Sequence, residues 1–461
     1  MNAVTSGAFP RVVAARAVDQ VLTQGRNLDV ALANSGLEKL TDRDKPLATA
    51  LAYGAVRTHL RNRCIIDELA TRPFRNRDQI IIALLSVGLF ALLESRRPDY
   101  AVVSSTVAAV SQLGRPQLKG VVNAILRRFL RERDSLMEKI DSNPVAHWQH
   151  PEWLIETIRT DWPNDWQYIL EAGNRQAPMW LRLNLNLSTR PAWAENFAGS
   201  VARMPVEVPT AVMLTEPVPV SELPGFATGV CSVQDVASQL AAIFLRPTAG
   251  MRVLDACSAP GGKALHILEA CPDVAELVAL DESPERLLRV QENFARANQQ
   301  ATIVCGDAAE PATWFSGRLF DRILVDAPCS ATGVLRRHPD IRFLRRPGDI
   351  AELTRKQEGL LQALWPLLAP GGRILYATCS VLRAENDVVI RRFLSVTDDA
   401  NELPLEVRGA ETDGIEALAP LQSAILAHGF QLLPGRMDND GFYYALIEKQ
   451  AVAQELQAGP E

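Results

Sequence analysis

Two short segments each bring a cysteine just past the end of a predicted strand: Asp326-Ala-Pro-Cys-Ser330 and Thr378-Cys-Ser380. An Asp or Asn followed by two prolines at such a place would grip an exocyclic amine. Asp326 and Cys329 replace that arrangement. Thiols suit a different problem. Cytosine C5 is too weak a nucleophile to attack a methyl sulfonium unaided, so a side chain must first add at C6, and thiolate is the strongest for that addition. The adduct makes C5 enamine-like, C5 takes the methyl group, and a base then removes the C5 proton so that the sulfur can leave. Two cysteines bordering one crevice supply a nucleophile and a second group for release. Asp326, protonated or sharing a proton with ring N3, would stabilise the charge that develops in the ring. Cys64, Cys231, Cys271 and Cys305 read as inert small hydrophobes.

A second constellation lies upstream. The run Val253-Leu-Asp-Ala-Cys-Ser-Ala-Pro-Gly-Gly-Lys263 reads as a strand entering a tight glycine loop that opens a helix, where the backbone can approach a ligand closely and helix amides can receive an anion. A triphosphate loop would need Gly at 257 and Ser or Thr at 264. Cys257 and Ala264 stand there, and the dinucleotide pattern GxGxxG is absent. An adenosine ligand with a small anionic tail remains. Asp281, closing the next strand, is placed for ribose hydroxyls, and Asp307, closing the third, for an adenine amino group. Each Asp alone is an ordinary cap or turn former; three in series with Asp326 point to a site. These acids tolerate a sulfonium cation and repel polyphosphate, so the expected cofactor is S-adenosylmethionine, held by Cys257, Ser258, Ala259, Pro260, Gly261, Gly262, Lys263, Asp281, Asp307 and Asp326. Lys263 has two readings, a contact to cofactor or base, or a solvated helix-start cation.

The elements that must carry these residues begin near residue 236, where strand, loop and helix alternate, the pattern of a mostly parallel sheet covered by helices on both faces. Residues 10–135 instead show apolar spacing of three and four (Val13, Ala17, Val21; Leu47, Leu51, Ala55) with Pro46, Pro98 and Pro116 near helix starts, as in a helical bundle. Between them, six of the eight tryptophans and the alternating run Trp180–Leu187 mark a short α+β module, its tryptophans read as packing residues rather than stacking platforms. The expected division is 1–144, a helical RNA-binding domain; 145–235, the small module; 236–450, a Rossmann-like domain; and 451–461, a tail.

Composition limits the alternatives. With 47% hydrophobic and 22% charged residues in 461, the chain is neither disordered nor collagenous. Ile80 to Leu93, its longest apolar stretch, is shorter than a bilayer span, and no export signal is visible, so a cytoplasmic location and reduced thiols are expected. No CxxC, HExxH or calcium-loop spacing occurs, and no metal is expected. The net charge of −6 argues against a polyanionic partner until its distribution is seen. Residues 1–150 hold 21 Lys and Arg against 14 Asp and Glu, and the remainder 27 against 40. Clusters at Arg57, Arg61 and Arg63, at Arg72, Arg75 and Arg77, and at Arg127, Arg128, Arg131 and Arg133 together favour a nucleic-acid footprint over solvated helix faces.

At these residues the chain resembles the RNA cytosine-C5 methyltransferases of the NOL1/NOP2/Sun family. The resemblance rests on Ser232-Val-Gln-Asp-Val-Ala-Ser238, Asp255-Ala-Cys-Ser-Ala-Pro-Gly-Gly-Lys263, Asp326-Ala-Pro-Cys-Ser-Ala-Thr-Gly333 with Arg336-Arg-His-Pro-Asp340, Thr378-Cys-Ser380 and Asp440-Gly-Phe-Tyr-Tyr444, and covers about residues 232–448. It implies a class I methyltransferase domain in which Cys379 is the nucleophile and Cys329 assists release of the methylated base. DNA cytosine methyltransferases use the Pro-Cys cysteine as nucleophile, so the presence of both points to the RNA class. The helical part resembles a NusB-type RNA-binding domain. The implied partner is small-subunit ribosomal RNA, with C5 of cytosine 967 in 16S RNA as target. Ser258 stands where the family usually has alanine and Arg383 where proline is frequent. The rival readings are the same chemistry on transfer RNA and a non-catalytic RNA-binding or assembly factor; a small-molecule methyltransferase would leave the N-terminal domains without a role.

Overall fold

In the computed structural model, residues 7–94, 97–197, 199–405 and 424–451 are described. The chain divides into two compact units, residues 1–176 with 335–347, and residues 177–334 with 348–461. Except for Ala451, the expected tail lies outside the described residues.

The first unit is helical, as its periodicity predicts. Pro46 sits in the first turn of helix Lys45–Arg57, Pro98 precedes helix Asp99–Gln112, and Pro116 opens the turn before helix Lys119–Asp141. Proline is tolerated there because the first amides of a helix have no intrahelical acceptor. Val12, Val18, Leu51, Ile65, Leu85, Val102 and Phe129 meet in one core. Helix Gln79–Glu94 runs through it, packed closely enough against Lys45–Arg57 that a Cβ on Gly54 would lie 2.0 Å from the Phe90 ring. With the preceding turn it makes a 19-residue run, Asn76–Glu94, longer than the apolar stretch legible in the sequence. By length and composition this run could cross a bilayer, but it is 67% buried within the fold, which is the environment of a central core helix.

The Arg336–Asp340 motif belongs to this helical unit. Asp340 Oδ2 accepts from the Leu28 amide and Asn27 Nδ2, both at 3.0 Å, at the start of helix Leu28–Ala33. Arg342 donates to the carbonyls of Arg57 and Gly173 at 2.7 Å, Arg57 donates to the Arg336 carbonyl at 2.9 Å, and Phe343 packs edge-on against His59.

The second unit opens with a four-stranded antiparallel sheet made of β1 (Trp180–Leu183), β2 (Val201–Arg203), β3 (Ala211–Leu214) and β4 (Cys231–Val233), in the order β2-β3-β1-β4. The alternating run therefore ends at Leu183, four residues earlier than its periodicity extends. Every residue of β1 is buried because both faces are covered. Leu181 and Leu183 pack with Trp193 and Val212, while Trp180 enters the core of the larger sheet and Arg182 forms a bidentate ion pair with Glu269. None of the six tryptophans is exposed, as packing residues should be.

The larger sheet contains β5 (Arg252–Asp255), β6 (Glu276–Asp281), β7 (Thr302–Cys305), β8 (Phe320–Asp326), β9 (Leu368–Thr378), β10 (Ala400–Leu403), β11 (Ala424–Ile425), β12 (Phe430–Leu432) and β13 (Phe442–Lys449). Its order is β11-β12-β13-β9-β8-β5-β6-β7, with β10 also paired to β13. Strands β7, β6, β5, β8 and β9 are mutually parallel, and β13 runs antiparallel to β9. Strand order reverses between β5 and β8, so their carboxyl ends flank the switch point where such sheets bind ligands.

Candidate functional site

Around that switch point a crevice is lined by Cys257, Ala259, Asp281, Glu282, Arg286, Gly306, Asp307, Asp326, Pro328, Lys356 and Leu360, among others. Of the residues expected to hold a cofactor, Cys257, Ala259, Asp281, Asp307 and Asp326 line it; Ser258 and Gly261 are buried in the loop and Pro260 points to solvent. Asp281 is 2% exposed and already organises the loop. Oδ2 accepts from the Ala259 amide at 3.1 Å, and Oδ1 from the Ser283 amide at 3.0 Å and from Arg286 at 2.7 Å. Asp307 accepts from the Ala309 amide at 2.8 Å.

Burial pushes the Cys257 thiol well up, and the charges of Asp255 and Asp326 add to the shift. This cysteine is therefore a wall of the crevice and no nucleophile. Asp255, at the tip of β5, was not singled out from the sequence. It is 1% exposed, neither carboxylate oxygen has a hydrogen-bond partner among the described residues, and burial, followed by the charge of Asp326, raises its pKa to about 7. Glu282, Arg286, Lys356 and Leu360 were missed as well; Glu282 directly follows Asp281, whereas Lys356 and Leu360 arrive from helix Pro347–Leu364, which carries no local signal.

Four acids line the crevice against Arg286 and Lys356, and the unpartnered carboxylate of Asp255 lies beside them. That donor set fits a cationic ligand bearing hydroxyl and amino groups and disfavours a polyphosphate. S-adenosylmethionine meets this test.

The two cysteines converge. Cys329 Sγ lies 3.4 Å from Cys379 Sγ. Strands β8 and β9 are parallel neighbours whose last ladder pair is Asp326 with Ala377, so each loop leaves the sheet at the same level. The loops are closed further by the Gly333 amide donating to the Cys379 carbonyl and the Gly441 amide to the Gly333 carbonyl, both at 2.9 Å. A Cβ on Gly333 would lie 2.3 Å from the Gly441 carbonyl oxygen, so the Thr-Gly and Asp-Gly positions are glycines for close approach. Cys379 is half-buried and Cys329 buried. The hydrogen bond shared with Cys379, then burial, push the Cys329 thiol well above its ordinary value.

Lys263 is no solvated cation. Its Nζ donates to Asp326 Oδ2 at 2.7 Å and lies 5.2 Å from the Phe442 ring centre. Burial lowers its pKa, but Asp326, with help from Cys379 and Asp255, outweighs that and raises it. The loop beneath Lys263 is gripped from the small module: Arg182 donates to the Gly262 carbonyl at 2.7 Å and to Gln234 Oε1 at 2.5 Å while paired with Glu269. Asp235 caps helix Val236–Leu245 and accepts from the Asp440 amide at 3.0 Å, tying the Ser232–Ser238 and Asp440–Tyr444 motifs together.

Comparison with known proteins accords with this geometry. The family described as 16S rRNA methyltransferase RsmB/F matches residues 242–448, the NusB family 9–131, and a Methyltr_RsmF/B-like, ferredoxin-like domain 150–221. The ribosomal RNA small subunit methyltransferase B of Cronobacter sakazakii is 42% identical over 442 residues, 95% of this chain and 98% of that protein. The protein of the same name from Pasteurella multocida is 43% identical over 451 residues, 95% and 96% of the two chains. Among solved structures, PH0851 aligns with a TM-score of 0.75 at 24% identity, over 95% of this chain and 99% of that one. NSun6 from Pyrococcus horikoshii with SFG aligns with a TM-score of 0.55 at 18% identity, over 66% and 99%. These two likenesses speak to the fold.

Proposed function

The chain belongs to the 16S rRNA methyltransferase RsmB/F family, and from that premise we propose that it transfers a methyl group from S-adenosylmethionine to C5 of a cytidine in 16S ribosomal RNA, cytosine 967 by resemblance, through a covalent adduct between Cys379 and C6. The observation that carries the proposal is the pair of sulfurs 3.4 Å apart at the carboxyl ends of adjacent strands. Cys379 is the more accessible of the two, and its sulfur adds to C6 of the unpaired or flipped base. Asp326, held by Lys263, faces the charge that develops in the ring and shares a proton with N3. After C5 is methylated its proton must go to a base and the C6–S bond must break; Cys329, hydrogen-bonded to Cys379, assists that release. When bound, S-adenosylmethionine supplies an electrophilic methyl group. The residues that would hold it are Cys257 to Lys263, with Asp281, Asp307 and Asp326.

The RNA would dock on the helical unit. Arg72, Arg75, Arg77 and Arg128 rim a groove whose apolar floor includes Phe74 and Val121. Its one acid, Asp78, is occupied by Arg115 at 3.1 Å, whereas Arg72 and Arg75 have no acidic partner among the described residues. Such a groove suits phosphates at its rim and an unpaired base on its floor. The division at 144/145 and 235/236 forms part of the proposal, supported by the three family matches each falling within one of its parts. A cytoplasmic location goes with it.

The test is incubation with labelled S-adenosylmethionine and, in parallel, unmodified 16S ribosomal RNA or transfer RNA, with 5-methylcytosine mapped by sequencing. One modified cytidine is expected. Label on transfer RNA only, or none on either RNA, would overturn the reading.

A further inference from the structure

The β8–β9 ladder ends at Asp326 and Ala377, and the Ala327 amide makes one more bond to the Ala377 carbonyl. Beyond that the ladder ends among the described residues, the twist of the sheet would splay the two cysteine loops, and the bonds that cross between them are local ones, from the Gly333 amide to the Cys379 carbonyl and from the Val381 amide to Thr332 Oγ1. A buried carboxylate takes over there. Glu385, wholly buried in the turn Arg383–Glu385, accepts four hydrogen bonds. Oε1 takes the Ser330 amide at 2.8 Å and Gln357 Nε2 at 3.2 Å; Oε2 takes the Ser330 hydroxyl at 2.5 Å and the Ser380 hydroxyl at 2.7 Å. Ser330 follows Cys329 and Ser380 follows Cys379. Gln357 also donates to the carbonyl of Pro328, the residue before Cys329, at 3.0 Å. The two cysteines are thus each one residue from a ligand of the same carboxylate.

We infer that Glu385 is a positioning residue whose carboxylate clamps the Cys329 and Cys379 loops together and thereby sets the separation of the reacting sulfurs. An apolar residue could fill the same space but could not hold two loops to one point. A buried carboxylate with fewer than its four donors would be unstable, so the bonds act as a set. Glutamine keeps the shape but loses the charge and one acceptor: its amide nitrogen can at best donate to the Ser330 and Ser380 hydroxyls, so the charge-assisted bonds that draw both loops to one point are weakened without a cavity. The inference rests on the two-cysteine reading for its catalytic consequence, but not for its geometric one.

Two measurements on the full chain separate these. In the first, a bifunctional thiol reagent that fluoresces only when both arms have reacted reports sulfur proximity, with Cys329→Ser as background. In the second, kcat and KM for methylation of 16S ribosomal RNA are measured. In Glu385→Gln the bridging rate should fall about tenfold or more and kcat about 10²-fold, as expected when reacting groups move by about 1 Å, while KM for RNA stays put because Glu385 touches no RNA. Ser380→Ala, which removes one of the four bonds to Glu385 together with the hydroxyl's contacts to Ser330, Thr332 and the Leu382 amide, should show a smaller drop in both and serves if the glutamine variant does not fold. Bridging at the wild-type rate in a folded variant overturns the inference. Loss of bridging with undiminished methylation supports the clamp and instead defeats the assignment of both sulfurs to the reaction.

Discussion

Lys263 Nζ lies 2.7 Å from Asp326 Oδ2, joining the glycine loop after β5 to the tip of β8. Without Asp326, burial, the largest influence on the Lys263 ammonium, would be opposed by the weaker effects of Cys379 and Asp255, and its pKa would drop. Asp326→Asn should slow methyl transfer by about 10²-fold or more, the scale of losing a group that faces developing charge. It should also make Lys263 reactive towards an amine-acylating reagent near neutral pH, read by peptide mass mapping. An unreactive Lys263 in that variant would mean that the pair does not control its proton.

On the proposed reading the two sulfurs have separable roles. Cys379→Ala should abolish transfer. Cys329→Ala should accumulate a protein–RNA adduct that survives denaturing electrophoresis, because addition at C6 continues while release fails. Turnover by the first variant, or an adduct from neither, would reverse or defeat the assignment.

Asp255 makes stability depend on pH. Its carboxyl has a pKa of 3.8 in an unfolded chain and about 7 when folded, so the folded form holds the proton more tightly. The stabilisation is complete below the unfolded value, declines across the window between the two, and is gone above about 7. Its ceiling is on the order of 4 kcal/mol. Asp255→Asn should flatten that slope in Tm between about pH 5 and pH 8 and melt higher than the parent at the upper end. Parallel curves for the two proteins would place the titration elsewhere.

The buried pair Arg182 and Glu269 holds the base of the Lys263 loop. Arg182→Met leaves a buried carboxylate without its cation and should cost about 3–5 kcal/mol of stability in denaturant unfolding. Adding Glu269→Met should recover most of that loss. Failure of the double variant to recover would mean that the bonds to Gly262 and Gln234 matter more than the charges.

Arg72→Glu with Arg75→Glu removes two rim cations of the groove in the helical unit. Affinity for single-stranded 16S fragments should fall, and the slope of log affinity against log salt should shrink by about 1.4 for two lost phosphate contacts. The exposed Arg16 and Arg26, outside the groove, are the charge-matched control when changed together; an equal loss from Arg16→Glu with Arg26→Glu would reduce the effect to overall charge.

Local chemistry made much of this legible. The helical periodicity, the proline-started helices, the strand-loop-helix alternation and the two cysteines after strands depend on neighbours within a few residues, and the chain writes them directly. What lay beyond reach was whatever distant segments do to one another. The run at Trp180 looked like a longer strand because its period was right, but β1 is only four residues long and covered on both faces. Asp255 opens the glycine-loop motif without a signal of its own, and Glu385 and Lys356 have unremarkable sequence surroundings, since each acquires its role from a partner far along the chain.

By itself the sequence determined the layers, the order of strand tips that carry the acids and the residue types available to react, because these follow from period and composition. Only the tertiary structure decided that the two sulfurs meet at 3.4 Å, that Lys263 is paired with Asp326, and that Arg336–Asp340 anchors in the helical unit. Those outcomes depend on which strands become neighbours and which buried charges find partners, and both are settled by packing across hundreds of residues.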